Sequence, residues 1–289
     1  MTLVNIQPWV LRAQSEHYAI GAFNANTLEQ AQAIVAAAEQ EHAPVIIQVS
    51  HRALQHVGGG DSTLGMRYMA CIGSIAAGSV SVPVGLHLDH APEVEALQAM
   101  ALGFTSVMFS GDDLPLTESI RVTQTLREQA HSLGASLEGE LGQVPRANYI
   151  GKFPASVVTN PDQAAEFVRA TKVDSLAISI GSVHGVNEKI IRLNLKHLET
   201  IRANVSVPLV LHGSSGVVDI DISAGIALGL CKVNVATQLN QVFTGAVRKV
   251  LADAPNEIDP RKYLQHAREA VIEYLRERIC FFGSSAKAA

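Results

Sequence analysis

Short runs rich in β-branched and aliphatic residues alternate with helix-period runs along the whole 289-residue chain, and this alternation constrains the fold more than any other feature. The β-rich runs are 18–23, 44–49, 82–88, 106–109, 135–141, 175–180, 208–211 and 232–235, eight in all. Helical candidates occupy 27–41, 64–77, 93–102, 117–133, 161–171, 195–203, 220–228 and 238–251, with Pro161 at a helix start, where its fixed φ is favourable. Eight βα units predict an α/β fold, a TIM (β/α)8 barrel. An additional C-terminal helix over 263–278 is expected to cap the barrel or join a neighbouring subunit. A doubly wound open sheet is the competing arrangement, but its G-x-G-x-x-G turn is missing after Phe23. Length alone would allow two domains, yet α/β barrels of roughly 250 residues fold as one, so residues 1–289 are expected to form a single domain.

Composition narrows the function classes. Twenty-two Lys plus Arg against 27 Asp plus Glu, with 47% hydrophobic and 17% charged residues, exclude a disordered chain, a coiled coil and a basic nucleic-acid-binding tail. The longest uncharged stretch, 68–86, contains three Gly and Pro83 and reads as a helix end, a turn and a strand, so no membrane span is expected. The opening MTLVNIQPWVLRAQSEHY has no basic region leading into an apolar one, which predicts a mature protein beginning near Met1. Cys71, Cys231 and Cys280 lie far apart and outside any C-x-x-C spacing, a pattern that suits a reducing cytoplasm.

Side chains alternate faces along a strand, so each run splits into two sets. Val84, Leu86 and Leu88 oppose Gly85, His87 and Asp89; Leu137 and Leu141 oppose Ser136, Glu138 and Glu140; Val233 and Val235 oppose Lys232 and Asn234. The apolar sets should face the helices and the polar sets the barrel interior, where an isolated charge costs several kcal/mol unless paired or bound to a metal. His90, His184 and His212 fall at or just beyond C-terminal strand ends, the face on which such barrels build active sites. Three imidazoles converging there, beside Asp89, form a sensible open zinc site. Each histidine taken singly also reads as a core or cap residue. His87 lies deeper and suits a supporting role, and His17, His42, His51, His56, His131, His197 and His266 read as surface residues. The turns HGSSG at 212–216 and NVAT at 234–237, with Gly181-Ser182 as a third side, offer backbone N–H groups to a phosphate, or serve only as tight turns.

Taken together, YAIGAFNANTLE, HLDH, SVMFSG, LEGELG, DSLAISIGSVHG, PLVLHGSSGV, KVNVATQL, DPRKYL and FFGSSAKAA resemble the class II, zinc-dependent ketose-bisphosphate aldolases of the tagatose- and fructose-bisphosphate type, over nearly the whole chain. The resemblance implies zinc on His90, His184 and His212, and Asp89 as acid/base at the oxygen on C4 of the ketose. It implies that Gly213, Ser215, Asn234 and Thr237 hold dihydroxyacetone phosphate, with carbonyls of Val183, Gly185 and Gly213 around a monovalent cation, Na+ or K+. It further implies a homodimer or homotetramer, in which Arg261 is a candidate to reach a neighbour's substrate phosphate.

Two departures from the family pattern bear on substrate and proton transfer. Where M-[IF]-D-G-S is usual, this chain reads Met108-Phe109-Ser110-Gly111-Asp112, and the segment 143–160 contains no Asp or Glu, carrying Arg146, Tyr149 and Lys152 instead. Inward-facing Glu140 is then the best available base for the proton of dihydroxyacetone phosphate, or else it orients a zinc-bound histidine. The expected activity is reversible aldol cleavage of a phosphorylated ketose or keto sugar acid. The alternatives are a metal-dependent hydrolase on the same barrel and a non-catalytic sugar-phosphate-binding barrel.

Overall fold

The computed structural model of the chain describes residues 2–111, 113–147, 158–186 and 188–289. Tyr149, Lys152 and Asp112 therefore lie outside the described residues. Eight parallel strands close in sequence order into a barrel: β1 (Ile20–Asn24), β2 (Val45–Ser50), β3 (Val84–Ala91), β4 (Ser106–Phe109), β5 (Ser136–Leu141), β6 (Ser175–Ile178), β7 (Leu209–Leu211) and β8 (Leu230–Val235). The closed order rules out the open sheet. Around it run α1 (Gln7–Glu16), α2 (Leu28–Gln40), α3 (His51–Val57), α4 (Ser62–Gly78), α5 (Glu93–Ala101), α6 (Leu116–Ser132), α7 (Pro161–Thr171), α8 (Leu195–Asn204), α9 (Asp219–Ala227), α10 (Thr237–Asp253) and α11 (Pro260–Phe282).

The two-set reading of the strands holds. Val84, Leu86 and Leu88, Leu137, Val233 and Val235 belong to one apolar layer between sheet and helices. Their neighbours His87, Asp89, Glu138, Glu140, Lys232 and Asn234 are buried polar groups. Local signals set many helix starts: Thr27, Asp61 and Asn160 accept backbone N–H bonds at the heads of α2, α4 and α7, with Pro161 following Asn160 as expected.

Two helices escape the periodicity, and one expectation is corrected. The floor of the barrel is closed by α1, not by the C-terminal helix: Ile6, Val10 and Ala13 pack with Ile20, Ala22 and Ile46 in a second apolar cluster. A Cβ on Gly85 would stand 3.1 Å from Ile6 Cβ, so glycine there lets the plug approach the strand closely. The final helix is longer than 263–278 and lies outside the wall against α2 and α10, and its tail hydrogen-bonds back to the carbonyls of Glu41 and His42. Ile6 is 3% exposed, so Ile6→Ala should lower unfolding stability by about 2–5 kcal/mol. Denaturant unfolding checks this, with divalent metal affinity expected to stay at the wild-type value because the plug sits at the far end from the site.

Candidate active site

The site begins with a break in strand alternation. The pairing of β3 with β4 shifts register between Leu88 and Ala91, and His90 adopts a left-handed φ of 52°. In a regular strand Asp89 and His90 would face opposite sides of the sheet; here both line one cavity. His184 comes from the turn after β6 and His212 directly follows β7. One ligand nitrogen from each of His90, His184 and His212 lies within 4.8 Å of the other two. The rings stand edge to face, with centroids 5.1, 5.8 and 6.1 Å apart.

The donor set fits a divalent metal. His212 Nε2 lies 2.9 Å from Glu138 Oε1, while its buried Nδ1 has no hydrogen-bond partner among the described residues. An imidazole held by a carboxylate on one nitrogen and open on the other is the usual state of a ligating histidine. Three nitrogens without a thiolate leave room for a further ligand, as catalytic rather than structural zinc sites do.

The cavity above the triad measures about 740 Å3. Part of its lining is small and backbone-rich: Gly213, Ser214, Ser215, Asn234, Ala236 and Thr237. Gly213 has a φ of 63°, and a Cβ there would lie 2.9 Å from the Val183 carbonyl carbon, so only glycine fits this turn without displacement. The head of α10 opens here, and its cap position, Ala236, makes no side-chain cap bond, which leaves first-turn N–H groups for an anion. Both amide atoms of Asn234 are buried without partners among the described residues. Another part of the lining comes from the ends of β1 and β2 and the start of α3: Asn24, Gln48, Ser50, His51 and Arg52. Gln48 donates to Asn24 Oδ1 at 3.0 Å. Arg146 joins them, because its segment pairs with the ligand turn: Ala147 N donates to His184 O and His184 N donates to Pro145 O, both at 2.8 Å.

With that geometry in place, comparison with known proteins is decisive. The sequence model described as "Fructose-bisphosphate aldolase class-II" matches residues 4–287. The chain is 39% identical over 292 residues to the fructose-bisphosphate aldolase of Geobacillus stearothermophilus, covering 100% of both chains. It belongs to the class II fructose-bisphosphate aldolase family. It is also 35% identical to the sulfofructosephosphate aldolase of Alkalicoccus urumqiensis, covering 100% of this chain and 99% of that one. In three dimensions it superimposes on the crystal structure of the YdjI aldolase of Escherichia coli K12 with a TM-score of 0.84, at 34% identity and covering 99% and 100% of the two chains.

For this class II aldolase the structure gathers Asp89, His90, His184, Gly185, Gly213, Ser215, Asn234 and Thr237 on one cavity lining, and places Glu140, buried, with Oε2 3.5 Å from His90 Nδ1. Arg261 is not among them; it heads α11, largely exposed and paired with Asp259. His51, read as a surface residue, lies on the cavity wall with Nδ1 2.8 Å from Glu95 Oε2, and His131 and His197 also have partners, Asp174 and the Thr159 carbonyl. Lys232, expected to face the barrel interior, does so, 2.7 Å from Glu138 Oε2 and 3.4 Å from His87 Nε2. Asn24, Gln48, Ser50 and Arg52 were missed, although splitting Ile46-Ile47-Gln48-Val49-Ser50 by alternate residues exposes the polar set.

Charge in the site is unevenly distributed. Burial alone would raise the Asp89 carboxyl, but His90, His212 and Lys232 outweigh it and hold the group below its usual range. Burial, assisted by His212 and His90, drives His184 down to about 3. For His212 burial acts the same way, yet the Glu138 hydrogen bond and the nearby carboxylates prevail and raise it above the ordinary histidine value. A metal bound at Nδ1 would have to displace a proton from His212, and would lose that competition as pH falls through the raised pKa. Divalent metal affinity, measured by competition with a chromophoric chelator, should weaken by roughly tenfold per pH unit below that point. Equal affinity at pH 6 and pH 8 would contradict this.

Proposed function

We propose that this class II aldolase uses zinc held by His90, His184 and His212 to cleave, and in reverse to form, the C3–C4 bond of a phosphorylated ketose. The products are dihydroxyacetone phosphate and an aldehyde. The observation that carries the reading is the convergence of three imidazole nitrogens beside a cavity lined by the buried Asp89 carboxylate and by the head of α10. A bound divalent cation supplies Lewis-acid polarisation of a ketone oxygen.

The chain's own groups do the rest. Asp89, kept ionised, takes the proton from the C4 hydroxyl as the C3–C4 bond breaks and its electron pair moves toward the ketone, then returns it to the aldehyde oxygen in condensation. Gly213, Ser215, Asn234, Thr237 and the head of α10 hold the phosphate of the three-carbon product, and carbonyls of Val183, Gly185 and Gly213 take a monovalent cation beside it. Glu140 delivers and removes the proton at C3. The 3.5 Å approach to His90 favours a second reading, in which Glu140 orients that ligand. Arg146 and Arg52 make no side-chain hydrogen bond or ion pair among the described residues, and both line the cavity, so they suit an anionic group on the aldehyde half. The names of the relatives support variation at that end, one acting on a bisphosphate and another on a sulfo-phosphate sugar. The same reading makes the protein a cytoplasmic homodimer or homotetramer, its three cysteines free, with Arg261 reaching a neighbour's site. No helix among the described residues is long and apolar enough to cross a membrane.

Deuterium exchange into dihydroxyacetone phosphate without aldehyde separates these roles from cleavage. Asp89→Asn should lower cleavage by about 10²-fold or more while exchange and metal content persist. Glu140→Gln should suppress exchange with metal retained. Arg146→Ala, alone or with Lys152→Ala, should leave exchange and raise KM for the aldehyde. Normal cleavage in Asp89→Asn at full metal content would overturn the acid/base assignment, and loss of exchange in the arginine variant would place that segment over the three-carbon site instead.

A further inference from the structure

Beneath the triad the barrel interior holds a polar chain that the reaction does not use directly. Ser106 Oγ lies 2.8 Å from His87 Nδ1; His87 Nε2 lies 3.4 Å from Lys232 Nζ; Lys232 Nζ donates to Glu138 Oε2 at 2.7 Å; and Glu138 Oε1 lies 2.9 Å from His212 Nε2. All five residues are buried, and they come from β4, β3, β8, β5 and the end of β7. We propose that Lys232 and Glu138 are positioning residues, the centre of a buried brace that aims His212 Nδ1 at the metal and fixes β3, which carries Asp89 and His90, against β7. The proposal rests on the metal reading above.

Three features favour a brace over a merely structural ion pair. Glu138 spends one oxygen on the ligand and the other on Lys232, so the ammonium sets where the carboxylate stands and the carboxylate sets the plane of the ring. With Nε2–H donated to Glu138, the neutral His212 ring has its lone pair on Nδ1, the atom left without a partner. Beyond Lys232 the chain passes through His87, two residues before Asp89 on the same face of β3, so a shift of Lys232 is felt on both sides of the triad. Lys232 does not line the cavity, and its ammonium is engaged by Glu138, so it does not serve as a Schiff-base amine.

The test is cobalt binding to metal-free protein, read as affinity and as the visible absorption spectrum, for Glu138→Gln, Lys232→Met and the double variant. Each single change should weaken Co2+ by about tenfold or more and alter the spectrum, because second partners of ligating histidines typically matter by 10–100-fold. In the double variant both charges are gone and an amide oxygen can still accept from His212 Nε2–H, so its affinity should exceed the value obtained by multiplying the two single losses. Should Lys232→Met fail to fold by circular dichroism, the nearly isosteric Glu138→Gln carries the test alone. Wild-type affinity and spectrum in folded Glu138→Gln would overturn the proposal, as would single losses that simply multiply. A wild-type chain that takes up no Co2+ would instead overturn the metal reading, and the brace with it.

Discussion

The site depends on one local violation of strand geometry. A β-strand sends neighbouring residues to opposite faces, so Asp89 and His90 cannot both reach the barrel interior from a regular β3. The register shift after Leu88 and the left-handed backbone of His90 resolve this. A non-glycine residue in that region costs of order 1–3 kcal/mol, and persists only where its surroundings enforce it. Here β3 is paired on both edges, by β2 through Asp89 and by β4 through Ala91, so the irregular residue is held between fixed points. The same irregularity puts the Asp89 carboxylate and the His90 imidazole, neighbours in sequence, on one cavity lining.

The rest of the barrel is arranged around that point in three zones. The floor is apolar and plugged by α1. The middle carries the Lys232–Glu138 pair, in which each ion offsets the desolvation of the other; removing one partner of such a pair leaves an uncompensated buried charge and typically costs about 3–5 kcal/mol. The rim carries the triad, the anion cradle at the head of α10 and the cationic wall of Arg52 and Arg146. Groups of opposite charge thus meet across the cavity: the Glu138 carboxylate holds the His212 imidazole from below, while backbone amides and the guanidinium groups of Arg52 and Arg146 line the rim above, an arrangement that suits an anion.

Much of this was legible in the sequence where the information is local. Eight alternations gave the barrel, because a strand and the helix after it are written in adjacent residues. The three clustered histidines stood out because strand ends can be located to within a residue or two. Short or weakly periodic elements did not: α1 has Pro8 and few buried positions, and α3 spans only seven residues in a stretch that reads as loop. Contacts across the closed barrel were also hidden. Lys232 and Glu138 are 94 residues apart, and only closure between β8 and β1 brings β8 round to complete the interior. Alternation placed both side chains inward, but it carries no information on which inward residues meet. The Asn24–Gln48 pair follows the same alternation rule, since Gln48 falls in the inward set of β2, but which inward residue it meets depends on the pairing of β2 with β1.

In the proposed reaction, carbon–carbon bond cleavage depends on a metal held by His90, His184 and His212. The most direct measurement titrates zinc into metal-free protein while following dihydroxyacetone phosphate release from a panel of phosphorylated ketoses. The expected result is release that rises with zinc and saturates at one ion per chain, with an equivalent of aldehyde formed from one ketose of the panel. Release at full rate by the metal-free chain, or no release from any ketose at full zinc occupancy, would contradict it.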